Sequence, residues 1–359
     1  MIIYPLVFFF ILIFTILHEH KFIILTEKNK YFFFTFLLIF FSIYIGLRVE
    51  VGGDWGNYYE NYFVALDVPI SNYLKYHIFT KDPLFRLLNY IVIKLNGSYV
   101  LLNFILSLIF SFALLNFCFS KTKPFLLILL SLPYLINVVA MGYHRQAIAI
   151  SMFMYGFNYL ENKENSKYIF LVLIASLFHY TAFILVLFVL LNSNKLNIKN
   201  LIYVFIVSLL IIILAFDSIV ILFVNYLSIS YSSSGAYIRC LMNVLPGLIF
   251  LYYYKNEFLQ IKNKILFKNL SILFIIFFVL LFISPSSAMI DRVSLYLIPF
   301  QIILWMNLID IFKRENNSNH IIFYSIIFLY YLSMLIWIYF GKFSIWWFPY
   351  NNFIFMLID

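Results

Sequence analysis

The side chains able to do chemistry are gathered in a few polar segments. One reads Arg48-Val-Glu50-Val-Gly52-Gly53-Asp54-Trp55-Gly56-Asn57-Tyr58-Tyr59. Its glycines permit a tight turn that can carry Asp54 to a ligand. Asp54 then acts as a base or as the acceptor for a sugar hydroxyl, or it is the Asx residue that caps the turn. A second segment, Asp82-Pro83-Leu-Phe-Arg86, opens an amphipathic helix that reaches roughly to Leu95. Asp82 fits the N-cap, Pro83 the first helical position, and Asp82 with Arg86 forms a favourable i,i+4 pair. This helix is expected along the membrane interface, holding Arg86 near the site.

The third segment, Met141-Gly-Tyr143-His144-Arg145-Gln146, opens a helix whose free N–H groups and dipole favour an anion, with Arg145 already in place. It is the leading position for a pyrophosphate contact. His144 is alternatively an interfacial histidine, and it lacks the neighbouring His or carboxylate of a metal site. His179 interrupts an apolar stretch at Ser176-Leu-Phe-His179-Tyr-Thr, where a titratable group is costly. It is a general base, or a structural histidine bonded to a freed backbone carbonyl. Ser232-Ser-Ser-Gly235-Ala-Tyr237-Ile-Arg239 and Ser284-Pro-Ser-Ser-Ala-Met-Ile-Asp291-Arg292 read as mobile loops, each ending in an arginine suited to phosphate. Asp291 alternatively caps a helix. Trp346-Trp347-Phe-Pro349-Tyr350 stacks on a sugar or belongs to an aromatic interface belt.

Other chemistries lack their signatures. The sequence has no GxGxxG, Walker A, HExxH or GxSxG, so nucleotide-driven transport and zinc or serine hydrolysis have no support. Cys118 and Cys240 form no CxxC or metal spacing, and neither a disulfide, a metal centre nor a cofactor is expected. The net charge of +9 is dispersed in short lysine clusters, which argues against nucleic acid. The 45 Phe and 29 Tyr accompany many Ile, Asn and Lys, residues with A- and T-rich codons, so they are no evidence of stacking on sugars or bases.

The elements that must position these residues are membrane helices. Of 359 residues 65% are hydrophobic and 11% charged, against roughly 25% charged in an ordinary soluble domain. Apolar runs near the required length of about 20 residues occur at 1–17, 31–47, 98–119, 124–140, 146–160, 200–216, 241–254, 265–283, 293–311 and 320–340. The first has no basic start or cleavage site and is expected to stay as a helix. Lys21/Lys28/Lys30, Lys121/Lys123, Lys163/Lys167, Lys195/Lys199, Lys255/Lys262/Lys264 and Lys313/Arg314 should all be cytoplasmic. A single crossing over 168–192 would separate Lys167 from Lys195, so this run is expected to be broken at His179. Both termini then face outward.

The reading is an all-α polytopic membrane protein of about 11 segments, one broken or re-entrant. Residues 1–359 form a single integral-membrane domain, with a polar outer insertion at 48–97 and an outer loop at 217–240, of which 219–230 is a surface or partly inserted helix. Five of the six arginines, Arg48, Arg86, Arg145, Arg239 and Arg292, fall outside against the charge rule, whereas the only outer lysines are Lys75, Lys81, Lys94 and Lys342. Arginine suits bidentate capture of phosphate. The five are expected to converge on an anion at the outer surface, unless each is merely paired to a nearby acid.

In order, Gly-Gly-Asp-Trp with Tyr58, Asp82-Pro-Leu-Phe, His144-Arg145-Gln146, Leu-Phe-His179, Asp291-Arg292 and Trp347-Phe-Pro349-Tyr350 resemble the EpsG-like family of bacterial polysaccharide polymerases, related in role to Wzy-type polymerases. The resemblance covers most of the chain. It departs at Trp55, where tyrosine is expected, and at Asp82, where glutamate is commoner. It implies a multi-pass protein of the bacterial cytoplasmic membrane that works on the outer, periplasmic face. Its reaction would be transfer of a glycan from undecaprenyl pyrophosphate to a sugar hydroxyl of a new lipid-linked repeat unit, making O-antigen or exopolysaccharide. His179, Asp54 and Arg145 would be catalytic; Arg48, Arg86, Arg239, Arg292, Gln146, Asp82, Tyr58 and His144 would bind substrate. Partners would be the undecaprenyl-pyrophosphate-linked oligosaccharide, membrane lipid, a chain-length regulator and a flippase. The alternatives are an O-antigen ligase and a lipid-linked glycan transporter or flippase.

Overall fold

The computed structural model describes residues 1–64, 68–69, 72, 82–193, 198–202, 204–206, 208–209, 220, 232–233, 235–255, 261–315 and 320–356. In chain order the longer helices are α1 (Ile3–Glu19), α2 (Glu27–Gly46), α3 (Trp55–Val64), α4 (Pro83–Lys94), α5 (Tyr99–Phe119), α6 (Pro124–Ala140), α7 (His144–Glu161), α8 (Asn165–Phe178), α9 (Tyr180–Leu191), α10 (Ala236–Tyr252), α11 (Lys264–Ile283), α12 (Ser287–Ser294), α13 (Ile298–Glu315) and α14 (His320–Phe340). Two short strands, β1 (Arg48–Val49) and β2 (Asn351–Asn352), pair antiparallel. Among the described residues α2, α5, α11, α14 and the continuous run Ser287–Lys313 are long and apolar enough to cross a membrane, and α1, α6, α8, α9 and α10 are shorter apolar helices. The described residues are almost entirely helical, as an all-α membrane protein requires.

Helix ends follow local chemistry. The Thr26 hydroxyl caps α2 by accepting from the Asn29 N–H at 3.3 Å, and Ser98 caps α5 by accepting from the Leu101 N–H at 3.2 Å. Pro124 opens α6, whose second half, Leu132–Ala140, widens into a π-helix. Nine of the ten apolar runs coincide with described helices. The run 200–216, the outer loop 217–240 and its 219–230 segment lie largely outside the described residues, as do Lys75, Lys81, Lys195 and the side chain of Arg314. The 168–192 run does break where its polar residues concentrate, with α8 ending at Phe178 and α9 starting at Tyr180 as 3₁₀ helix. At 14 residues α8 is about 21 Å long, short of a hydrocarbon core of about 30 Å. The insertion 48–97 holds α4 as expected, and also α3, where the sequence suggests only a turn.

The fold divides into two compact units. Met1–Tyr155, Leu177–His179 and Ile327–Asp359 form the first; Gly156–Ser176 and Tyr180–Ile326 form the second. In the first, α2 packs along α5 and α1 along α6. The segment after α14 closes over this bundle. Trp347 is buried, its indole N–H donating to the Asn137 carbonyl at 2.7 Å and its carbonyl accepting from the Tyr4 hydroxyl at 2.9 Å. The Tyr350 hydroxyl donates to the Tyr44 carbonyl at 2.6 Å. The same indole lies against Gly53 and Gly142; a Cβ on Gly142 would come within 2.6 Å of the ring. Gly52, at φ +120°, brings the chain against the Met141 carbonyl in a conformation that side chains disfavour. The tail therefore clamps the start of the insertion to the head of α7. Trp346, its neighbour, is exposed.

In the second unit α10 packs on α11 and α13. Polar ends of the short α8 and α9 are satisfied locally. The Tyr168 hydroxyl donates to the Leu185 carbonyl at 2.8 Å, and the Asn192 amide donates to the Leu160 carbonyl at 2.6 Å while accepting from Asn263. Non-standard helix ends inside an apolar bundle require such partners.

Candidate active site

At the head of α7 the first unit brings together Arg48, His144, Arg145, Asp82 and His179. Arg48, which follows α2, is 1% exposed. Its Nε donates to the Val51 carbonyl at 3.1 Å, Nη1 to the Ile45 carbonyl, and Nη2 to the Met141 carbonyl at 2.7 Å and to Nε2 of His144. Burial pushes its guanidinium down to about 10, which leaves it charged at neutral pH. These contacts join the end of α2 to the end of α6 and make Arg48 part of the framework.

His144 is fixed from two sides. Arginine can only donate, so Nε2 of His144 accepts and the proton resides on Nδ1, which has no hydrogen-bond partner among the described residues. The ring stacks on Tyr58 at 4.7 Å between centroids and 25° between planes. Arg48, His144, Asn103 and Ser107 contribute to the wall of a small cavity with room for about one water molecule.

Arg145 points the other way. Its Nη1 meets Oδ2 of Asp82 at 2.5 Å, its Nε faces the Tyr58 hydroxyl at 3.4 Å, and its guanidinium lies 5.5 Å from the Tyr58 ring centre. Burial raises the Tyr58 phenol above its usual range, with Arg145 pulling it down and Asp54 pushing it up. Asp82 has a side chain 1% exposed, and its other oxygen, Oδ1, stands 3.7 Å from Nδ1 of His179. It occupies the N-cap position of α4, but its side chain makes no capping hydrogen bond. This corrects the expectation of a capping role: the backbone at Asp82 is left-handed, φ 52°, and the carboxylate is directed to Arg145 instead.

The candidates read from sequence are thus distributed as follows. Tyr58, Asp82, His144, Arg145 and His179 are linked by contact, with Arg48 joined to them through His144. Asp54 precedes α3, its carbonyl accepting from the Tyr58 N–H at 3.0 Å, and is half-buried. Gln146 is buried in the first turn of α7, and Arg86 is half-buried in the first turn of α4. Arg239 and Arg292 belong to the second unit. There Arg239 grips Asp291 with Nε at 2.7 Å and with Nη2, and Ser233 bridges the two, accepting from Arg239 at 2.7 Å and donating to Asp291 at 2.8 Å. Asp291 is therefore an ion-pair partner, and Arg292 beside it is exposed.

Sequence reasoning missed the Asp82 to Arg145 and Asp82 to His179 pairings and the part played by Ser233. A signal existed for the first, since a buried acid needs a cation. None existed for Asn103, an ordinary polar residue in an apolar helix. No curated protein and no solved structure matches the chain. Matched by the model of the EpsG family from residue 30 to residue 352, a stretch that holds every side chain of both clusters, the chain belongs to the EpsG family.

Proposed function

We propose that the protein polymerises lipid-linked oligosaccharide repeat units on the outer face of the bacterial cytoplasmic membrane, by glycosyl transfer from an undecaprenyl-pyrophosphate-linked donor. The observation that carries this reading is the grouping of Arg145, Asp82, Tyr58 and His179 at the head of α7, in an EpsG-family chain with few charges. In this reading the donor pyrophosphate meets Arg145 at the N-terminus of α7, where the guanidinium and the helix dipole stabilise charge as it develops on the leaving group. His179 removes the proton from the acceptor hydroxyl as the hydroxyl oxygen bonds to the donor's anomeric carbon. The bond from that carbon to pyrophosphate breaks, and the lipid pyrophosphate leaves. Arg48 is assigned to the framework because its donors are engaged by backbone carbonyls and His144. Asp54 is the second choice for the base.

Deletion of the gene, followed by a gel of surface glycolipid, tests the reading. Loss of a polymerase leaves lipid core carrying one repeat unit. Bare core with lipid-linked polymer would indicate a ligase, and repeat units trapped inside the cell a flippase; either pattern would overturn the proposal.

A further inference from the structure

Asp82 stands out among the buried charges because its local role is refused. A residue before proline is normally extended, yet Asp82 sits at φ 52° and ψ 60° ahead of Pro83, in a region that disfavours side chains. Strained backbone of this kind persists only where the surroundings hold it, and it recurs at functional sites. The conformation turns the carboxylate away from the α4 N–H groups and towards two other segments. Oδ2 binds Arg145 at 2.5 Å, and Oδ1 faces Nδ1 of His179 at 3.7 Å. These two distances link the residues assigned above to the leaving group and to the base.

Resting on the polymerase reading, we infer that Asp82 is the positioning residue of the site, a single carboxylate that orients the His179 ring through Nδ1 and holds Arg145 beside it. A carboxylate on the Nδ1 side keeps the proton there and makes Nε2 the nitrogen that takes the acceptor proton. The imidazolium formed in that step is stabilised by the same negative charge. Among the described residues Asp82, from the head of α4, faces His179, and behind Asp82 lie Arg145 of α7, Tyr58 of α3 and, stacked on Tyr58, His144.

The test compares the full-length wild type with Asp82→Asn and Asp82→Glu, in detergent with purified lipid-linked repeat units. Asp82→Asn is expected to lower kcat about a hundredfold while KM for the donor changes far less. With the negative neighbour gone, His179 holds its proton less tightly, so the acid limb of the pH–rate profile should move down by about one pH unit. Asp82→Glu should return the limb towards the wild-type position. The imidazole titration of His179 by NMR, assigned by difference with His179→Gln, should show the same shift without turnover. A wild type that polymerises, with an unmoved limb and an unmoved His179 titration in Asp82→Asn, overturns the inference and leaves the polymerase reading standing. A wild type that fails to polymerise sinks that reading, and the NMR titration then decides by itself whether Asp82 acts on His179.

Discussion

Replacing Arg145 separates what its charge does for the fold from what it does for a ligand. The Asp82 side chain is 1% exposed and that of Arg145 27%. Removing one partner of a buried pair costs about 3–5 kcal/mol, because the remaining charge stays buried. The partial exposure of Arg145 puts Arg145→Ala near the lower end, roughly 3 kcal/mol. Arg145→Ala combined with Asp82→Asn leaves neither partner of the pair as an uncompensated buried charge and should recover most of that stability, yet make no polymer. Arg145→Lys keeps the charge and the fold but loses the guanidinium fork. One charge-assisted hydrogen bond is worth about 1.5–3 kcal/mol, and if it strengthens as the leaving group gains charge, turnover should fall about tenfold to a hundredfold. Thermal unfolding of detergent-purified protein, followed by size-exclusion chromatography, reads the first effect. A product ladder at matched protein level reads the second. Unchanged unfolding together with polymer of normal length and amount in Arg145→Ala would refute both parts of the reasoning.

Three further outcomes are expected. Gly142→Ala places a methyl group against the Trp347 ring and should destabilise the first unit by about 1–3 kcal/mol, with partial recovery in Gly142→Ala/Trp347→Leu; melting curves measure both. Arg239→Ala leaves the Asp291 side chain, 10% exposed, without its cation and should cost roughly 3 kcal/mol; normal stability with loss of polymer would instead make Arg239 a phosphate contact. A cysteine at Ser232 should react with a membrane-impermeant thiol reagent added outside, and one at Lys163 should not; labelling at Lys163 would undo the orientation drawn from the lysines.

The helices were legible because a membrane span is written in contiguous sequence, as an apolar run of nearly the length the bilayer needs. The break at His179 was legible for the same reason, since polar side chains inside an apolar run must end it or be buried with partners. The wiring of the cluster was not. Asp82 is 63 residues from Arg145, and its position before Pro83 offered a sufficient local explanation as a cap. Only the left-handed backbone at that residue redirects it. Arg48 looked like an anion contact because of its residue type and the outer side that the lysine clusters predict for it. The partners that engage it, the carbonyls of Ile45, Val51 and Met141, belong to every sequence alike and leave no mark in this one.

The clamp formed by Trp347 and the paired strands has a consequence for biosynthesis. Residues 344–352 leave the ribosome after all the longer helices of both units, yet they brace residues 48–53 and the Asn137 to Gly142 stretch that precedes the cluster. Partly synthesised chains can thread their helices into the bilayer while the head of α7 still lacks its brace. Translation that stops short of residue 344 should therefore yield an inserted but inactive protein. Synthesis of residues 344–352 would then be the step that braces the head of α7, and a nascent chain still lacking them would sit in the bilayer without a finished site.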